Sequence, residues 1–202
     1  LEILKCLRSE GCLYAIDVDA LELPRTKDRL ERLGYGPDIL RIRQMNFSQI
    51  DQIVSESGPF HFILADLGVS SMQIDDPERG FSMKFEGPLD LRLNPAAGTP
   101  AADRLKAMPL YKLQGILAEY ADEPYAGPIA RGIVSCRKAG THITTTAQLR
   151  NLIRNTLESI PGVSGEDIRK SCQRCFQALR IDVNRELEAL DEFLEKLPDA
   201  LA

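Results

Sequence analysis

The sequence predicts an α/β protein, with a parallel, doubly wound sheet in its first half and an inserted all-helical subdomain after it. Three observations lead there. Short apolar runs at 12–16, 39–43 and 60–65 alternate with helical patterns at 20–33 and 49–57, and strand–helix alternation builds parallel sheets covered by helices. Two of those runs deliver a carboxylate at their carboxyl end, Asp17 and Asp66, the edge at which open α/β sheets bind ligands. From Thr99 onward the strand-like runs stop and helical spacing takes over.

Taken in order, Leu1, Ile3, Leu4 and Leu7 with Lys5 and Arg8 between them read as the tail of an amphipathic helix over residues 1–9, ended by Gly11. The run 12–16 is a short buried strand. Residues 20–33 form a helix with Pro24 near its first turn, where proline is tolerated, and Gly34 at its end. Asp19 reads as its cap. Residues 39–43 alternate as a strand, and Ser48 is placed to cap a helix over 49–57. Gly58-Pro59 turns the chain into the apolar run 60–65, whose length and composition suit a buried strand.

About twenty-five residues then follow Asp66 with no clean period, dense in Gly, Pro, Asp and Ser. Met72, Phe81, Met83, Phe85 and Leu89 give this stretch side chains with which to pack. It reads as an ordered active-site loop, the bland alternative being a mobile connector. Beyond it, helices are expected at 101–107, 110–120, 124–137, 145–157 and 168–179, with Thr144 or Thr145 capping the fourth. Residues 183–197 space Leu187, Leu190, Phe193, Leu194 and Leu197 along one face, as a crossover helix lying back on the sheet. The domains expected are a core at 1–98, a helical insert at 99–180 and the returning helix at 181–202.

Bulk properties narrow the function classes. A chain of 202 residues with 44% hydrophobic and 27% charged residues reads as ordinary globular protein. No apolar run approaches a membrane span, and no signal peptide is visible at the start. Five cysteines without framework spacing favour a reducing compartment, with cytoplasm as the expectation. A net charge of −5 argues against indiscriminate coating of nucleic acid but is compatible with a local basic patch.

The run LADLGVSSMQIDDPERGFS, followed by GPLDLRL, closely resembles the signature of the MraW (RsmH) family, and the likeness continues through ITTTAQL at 143–149 and FQALRIDVNRELE at 176–188. That family consists of S-adenosylmethionine-dependent methyltransferases acting on the N4 amine of a cytosine in small-subunit (16S) ribosomal RNA. The resemblance implies a Rossmann-like core of the class I methyltransferase type with a helical insertion. It implies S-adenosyl-L-methionine contacts from Asp17, Phe47, Asp66 and Gln73. It also implies partners in small-subunit ribosomal RNA or the assembled subunit. Relative to the family, a glycine-rich turn belongs immediately before Leu1 and a closing strand beyond Ala202. The sequence is therefore expected to be trimmed at both ends and to bind cofactor and turn over weakly by itself.

The candidates for chemistry carry alternatives. An acid at the end of a strand accepts hydrogen bonds from ribose hydroxyls, or simply caps the next helix. Phe47 serves the adenine or packs at a strand–helix corner. A cytosine amine is a poor nucleophile, so the enzyme must align it and accept its protons. Asp66 and Asp90 are the catalytic candidates, Asp66 facing the cofactor and Asp90 or Asp76 nearer the base, with Asp75-Asp76 as an Asx turn before Pro77 the alternative for that pair. Phe81 and Phe85 suit an extruded base or loop packing. Arg79, Arg92 and Arg104 suit phosphate contacts or solvated surface. Arg131, Arg137 and Lys138 form an RNA platform or a solvated helix face. Cys172 and Cys175 read as packing rather than a metal pair, because four ligands are needed and no second pair exists. His61 and His142 lack a nucleophile partner. The rival from another class is a non-catalytic nucleotide- or RNA-binding module on the same sheet.

Overall fold

The computed structural model describes residues 1–7 and 11–202. The first helix, α1, is Glu2–Cys6; its expected continuation to Ser9 lies outside the described residues. Strands β1 (Leu13–Asp17) and β2 (Leu40–Gln44) pair in parallel, Leu13 opposite Leu40 and Asp17 opposite Gln44. Parallel neighbours need a crossover, supplied here by α2 (Glu22–Arg32), whose Leu30 packs with Leu4 and Leu40 beneath the strands. Gly34, at φ 90°, turns the chain out of that helix as its sequence position implied.

A 3₁₀ turn (Phe47–Gln49) precedes α3 (Ile50–Ser57). The cap differs from expectation. Asn46, not Ser48, accepts the backbone N–H while Gln49 reaches back to Asn46, and Ser48 is buried behind them. An Asn with Gln three residues on is the capping-box pattern, and it outcompetes the hydroxyl inside the turn.

The third expected strand does not form as a buried strand. Residue Phe60 alone pairs, in parallel with Leu201, through Phe60 N–H to Ala200 O at 2.8 Å and Ala202 N–H to Phe60 O at 3.0 Å. Phe62 and Leu64 are 69% and 65% exposed. An apolar run becomes a buried strand only when neighbours cover its edges and faces, and among the described residues that support ends at Phe60. The sheet is therefore a small, two-stranded parallel one.

The remaining helices are α4 (Ser71–Asp75), α5 (Ala101–Ala107), α6 (Leu110–Ala121), α7 (Ala126–Lys138), α8 (Thr146–Glu158), α9 (Gly165–Asn184) and α10 (Glu186–Ala200). A second 3₁₀ turn spans Pro77–Arg79. The expected break near residue 180 falls later, at Arg185, which takes a left-handed φ of 51°. The start of α9 is set by Ser164, whose hydroxyl accepts from Asp167 N–H while the Asp167 carboxylate accepts from Ser164.

The chain divides into two compact units, Leu1–Asp66 with Leu93–Ala96 and Glu186–Ala202, and Leu67–Arg92 with Ala97–Arg185. In the first, α10 lies on the 3₁₀ turn and α3: Phe193 meets Phe47 edge-on at 5.5 Å, and Lys196 donates to Ser48 O and Asp51. In the second, Leu89, Leu91, Leu117, Ile129, Leu149, Ile153, Leu157 and Leu179 belong to one continuous apolar core. Within the described residues no helix is long and apolar enough to cross a membrane.

Candidate functional site

In the sheet unit, two of the expected cofactor residues share one edge. The register places Asp17 beside Gln44 at the carboxyl ends of β1 and β2, and Met45 N–H donates to Asp17 O at 2.9 Å. Phe47 follows three residues after Gln44, so the turn that carries it begins at the rim where Asp17 sits, the edge at which α/β sheets bind ligands. Asp17 is exposed, and one carboxylate oxygen accepts from Asp19 N–H at 2.8 Å. Asp19 is the true cap: buried, it accepts from the N–H groups of Leu21 and Glu22 at 2.9 and 3.1 Å. This division of labour frees Asp17 from holding α2. Phe47 is half-buried, one edge committed to Phe193.

Asp66 is exposed at the end of the segment that starts at Phe60. The ring of Phe60 stands edge-on to Tyr14 of β1 at 5.5 Å, so that segment starts beside the strand carrying Asp17. Arg41 reaches the Tyr14 hydroxyl and stacks over the ring at 5.2 Å.

The stretch after Asp66 is ordered, and much of it is built rather than loose. Gln73 is buried, its side-chain oxygen accepting from Ser70 N–H at 2.8 Å in the capping box that starts α4. Serine with glutamine three residues later was the legible signal for this short helix, which periodicity misses because it is a little over one turn long. Two glycines then let the backbone cross itself. A Cβ at Gly80, where φ is 69°, would stand 2.3 Å from Pro88 O, and one at Gly87 would stand 2.0 Å from Pro77 O. Limb 77–80 thus lies on limb 87–90, and Leu91 N–H donates back to Arg79 O at 3.1 Å.

Arg79 takes a role other than the expected phosphate contact. It is 4% exposed, donates to Arg92 O at 3.4 Å and stacks over Phe81 at 5.5 Å. A guanidinium shut away from solvent holds the loop together instead of meeting a polyanion. Phe81 in turn packs on the helical core. Phe85, 44% exposed, is the aromatic of the pair left open.

Asp90 and Arg92 form a two-point ion pair: Nε to one carboxylate oxygen at 2.8 Å and an Nη to the other at 2.7 Å. The hydrogen-bonded carboxylate raises the Arg92 pKa further. Between them Leu91 is fully buried with φ at 66°, a left-handed backbone rare for leucine. Asn184, at the end of α9, holds it there by donating to Leu91 O at 2.7 Å. Strain kept in place by surrounding bonds is a mark of functional segments. Sequence reading missed Asn184 altogether, since an Asn at a helix end signals termination and nothing more.

Elsewhere in the helical unit the other candidates take structural work. Arg104 is bound to buried Asp182, Nε to carboxylate at 2.8 Å. Arg137 donates to Leu105 O and Met108 O, capping α5, so the cluster with Arg131 and Lys138 loses one cation as a platform. Burial pushes the thiols of Cys172 and Cys175 up, Cys175 the more strongly, and both are buried in α9. No group of three or more His, Cys, Asp or Glu able to hold a metal occurs among the described residues.

Comparison with known proteins bears on this geometry. A family model described as the MraW methylase family matches residues 1–202. Similar proteins include "Ribosomal RNA small subunit methyltransferase H 2" of Alkaliphilus metalliredigens, 64% identical over 203 residues covering 100% of this chain and 58% of the relative. A second is "Ribosomal RNA small subunit methyltransferase H 1" of Lachnoclostridium phytofermentans, 58% identical over 202 residues, 100% of this chain and 55% of the relative. More distant is "Ribosomal RNA small subunit methyltransferase H" of Leptothrix cholodnii, 35% identical over 202 residues, 99% of this chain and 60% of the relative. The chain spans a little over half the length of the curated relatives it matches.

Proposed function

The chain belongs to the MraW methylase family, and on that premise we propose that it is part of a cytoplasmic S-adenosylmethionine-dependent methyltransferase that modifies the N4 amine of a cytosine in small-subunit ribosomal RNA. The observation that carries this reading is the placement of Asp17 and Phe47 at one carboxyl rim of the parallel strands. An exposed carboxylate at the end of β1 and a half-buried ring in the turn after β2 suit a nucleoside: the acid accepts from ribose hydroxyls and the ring lies against the adenine. The residues present therefore fit the cofactor. When bound, it supplies an electrophilic methyl group on a sulfonium.

What the chain itself contributes is position and proton management. Asp17 holds the ribose and Phe47 the adenine, with Asp66 of the same unit as a further cofactor contact. Asp66 and Asp90 are the proposed catalytic acids. A carboxylate accepting a hydrogen bond from the exocyclic amine turns the nitrogen's density toward the methyl, and takes up the proton lost as the new C–N bond forms. Asp90 works with Arg92, whose guanidinium grips both carboxylate oxygens and brings a cation near the RNA backbone. Phe85 offers a face to the base, and Arg79 and Phe81 support that face from behind. In this reading the sheet unit forms the Rossmann-like cofactor core, and helices α5–α9 of the helical unit meet ribosomal RNA, free or in the assembled subunit.

Titration calorimetry of S-adenosylmethionine into the protein at the full length of its relatives tests this. Saturable heat is expected, weakened about tenfold or more by Asp17→Ala, the scale of a lost charge-assisted hydrogen bond. No heat with S-adenosylmethionine, or heat with NAD instead, overturns the reading and favours a binding module or another nucleotide enzyme. Mass-spectrometric mapping of small-subunit RNA from cells lacking the gene should show one cytosine without its N4 methyl group.

A further inference from the structure

Residues 81–86 form a loop of the helical unit closed by the glycine-crossed neck of Gly80 and Gly87; Phe81 and Met83 pack on the core and residues 84–86 make an exposed tip. One side chain fastens its outgoing limb, residues 85–87. Thr146, the first residue of α8, is wholly buried. Its hydroxyl donates to Phe85 O at 2.8 Å and accepts from Gly87 N–H at 3.1 Å, while its own N–H donates to Gly87 O at 3.0 Å. On either side, Leu89 N–H donates to Thr144 O at 2.9 Å and Arg150, one turn further along α8, donates to Met83 O at 2.7 Å. The start of α8 is itself fixed by the Thr145–Gln148 capping box. The exposed ring of Phe85 thus hangs from a rigid helix end by the carbonyl of its own residue.

We infer that Thr146 is a positioning residue for substrate binding: its hydroxyl sets the backbone of Phe85, and so the height and tilt of the aromatic face offered to an unstacked RNA base. This rests on the methyltransferase reading and adds to it a residue that touches neither base nor cofactor. Helix α8 carries the information because its first turn is held by a capping box, whereas the tip has no regular structure of its own. A ring on a tip is useful for stacking only if its orientation is settled before the base arrives. The hydroxyl is the atom suited to this, as it serves a carbonyl and an amide two residues apart at once; the methyl of the same side chain only fills space.

The test uses the protein at the full length of its relatives, with small-subunit ribosomal RNA and labelled S-adenosylmethionine. Four variants are compared: Thr146→Val and Thr146→Ala, which lack the hydroxyl, Thr146→Ser, which keeps it, and Phe85→Ala. Both hydroxyl-free variants should raise KM for RNA about tenfold, the scale of one lost base–aromatic stack, with kcat within about twofold. Thr146→Ser should keep the parental KM. In the Phe85→Ala background Thr146→Val should add nothing, because the ring it positions is gone. Amide exchange should rise in residues 82–88 of the Val variant while α8 stays protected. A KM that rises as much in Ser as in Val, or fully additive effects of Thr146→Val and Phe85→Ala, overturns the inference. So does loss of α8 protection in both hydroxyl-free variants, which would assign Thr146 to folding. A parent protein that methylates no RNA overturns the methyltransferase reading instead, a result separable from all of these.

Discussion

The sheet unit and the helical unit are made of similarly apolar sequence, yet they bury it very differently. In the helical unit, α6 to α9 enclose Leu117, Ile129, Leu149, Ile153 and Leu157, each wholly shut off from solvent. In the sheet unit the residues of β1 are only half-covered or exposed, and its buried clusters are small. The cause is where each element finds its hydrogen bonds. A helix closes its own ladder and needs a neighbour only along one stripe. A strand needs neighbours at both edges and covers on both faces before its apolar side chains leave water. Phe62 and Leu64 show the consequence: a sequence written for a buried strand stays exposed where only Phe60 is paired.

The largest test of that contrast is truncation of matched leucines. Leu149→Ala should lower the unfolding free energy of the helical unit by about 2–5 kcal/mol, the usual cost of a buried leucine and its cavity. Leu64→Ala, at a position 65% exposed, should change stability by no more than about 0.5 kcal/mol. Urea unfolding followed by circular dichroism reads both. Equal losses would mean that the sheet segment is covered in solution and that the contrast between the units fails.

Next come two ion pairs. Asp182 is buried in α9 and bound by Arg104 of α5 at 2.6 Å. Asp182→Ala leaves a cation in a largely apolar setting and should cost about 2–3 kcal/mol, below the range for fully buried pairs because Arg104 keeps some solvent contact. In the sheet unit, Arg43 and Glu56 also make a two-point pair, but on the surface. Glu56→Gln should leave the thermal midpoint unchanged. A shift there comparable to that of Asp182→Ala would show that pair geometry, not burial, sets the energy.

The same physics decides how much of the molecule was legible. Helices in the second half were readable because their stripes, Pro and Gly stops and caps are local signals. Local sequence alone narrows the cap of α8 to Thr144 or Thr145, and Thr145 takes it. The strand at 60–65 was readable as a pattern but not as an outcome, since pairing depends on partners far away in the chain. At the candidate site, the position of Asp17 at the end of β1 was readable because strand ends are local. The packing of Arg79 over Phe81 and the reach of Asn184 were not legible. An arginine reads the same whether it meets phosphate or stacks over Phe81, and no pattern announces that Asn184 will reach a carbonyl ninety-three residues away. The glycine crossing of Gly80 and Gly87 was likewise hidden, as glycine in a loop usually signals only a turn.

The smallest effect separates the units by what lowers a carboxylate. The Asp167 pKa lies below its ordinary 3.8 chiefly because the Ser164 hydroxyl and then the Ser164 backbone N–H donate to it. The Asp51 pKa is lowered chiefly by Lys196, which donates to it at 2.7 Å. Both depressed acids stabilise the fold above the ordinary carboxylate pKa, and both lose that contribution as pH falls through the lowered folded value. Asp167→Asn and Asp51→Asn should therefore each be slightly less stable than the parent at neutral pH, the gap closing below pH 3.8. Salt tells them apart. At about 1 M, where screening acts within ~3 Å, the Asp51 gap should shrink, because an exposed charge pair sustains it. The Asp167 gap should persist, because its principal donors are neutral groups in a helix cap. Thermal melts of the two variants at low and high salt read the difference. Equal salt sensitivity would place Asp167 under the control of Lys170 and Arg174 on α9 and remove the capping box as the cause.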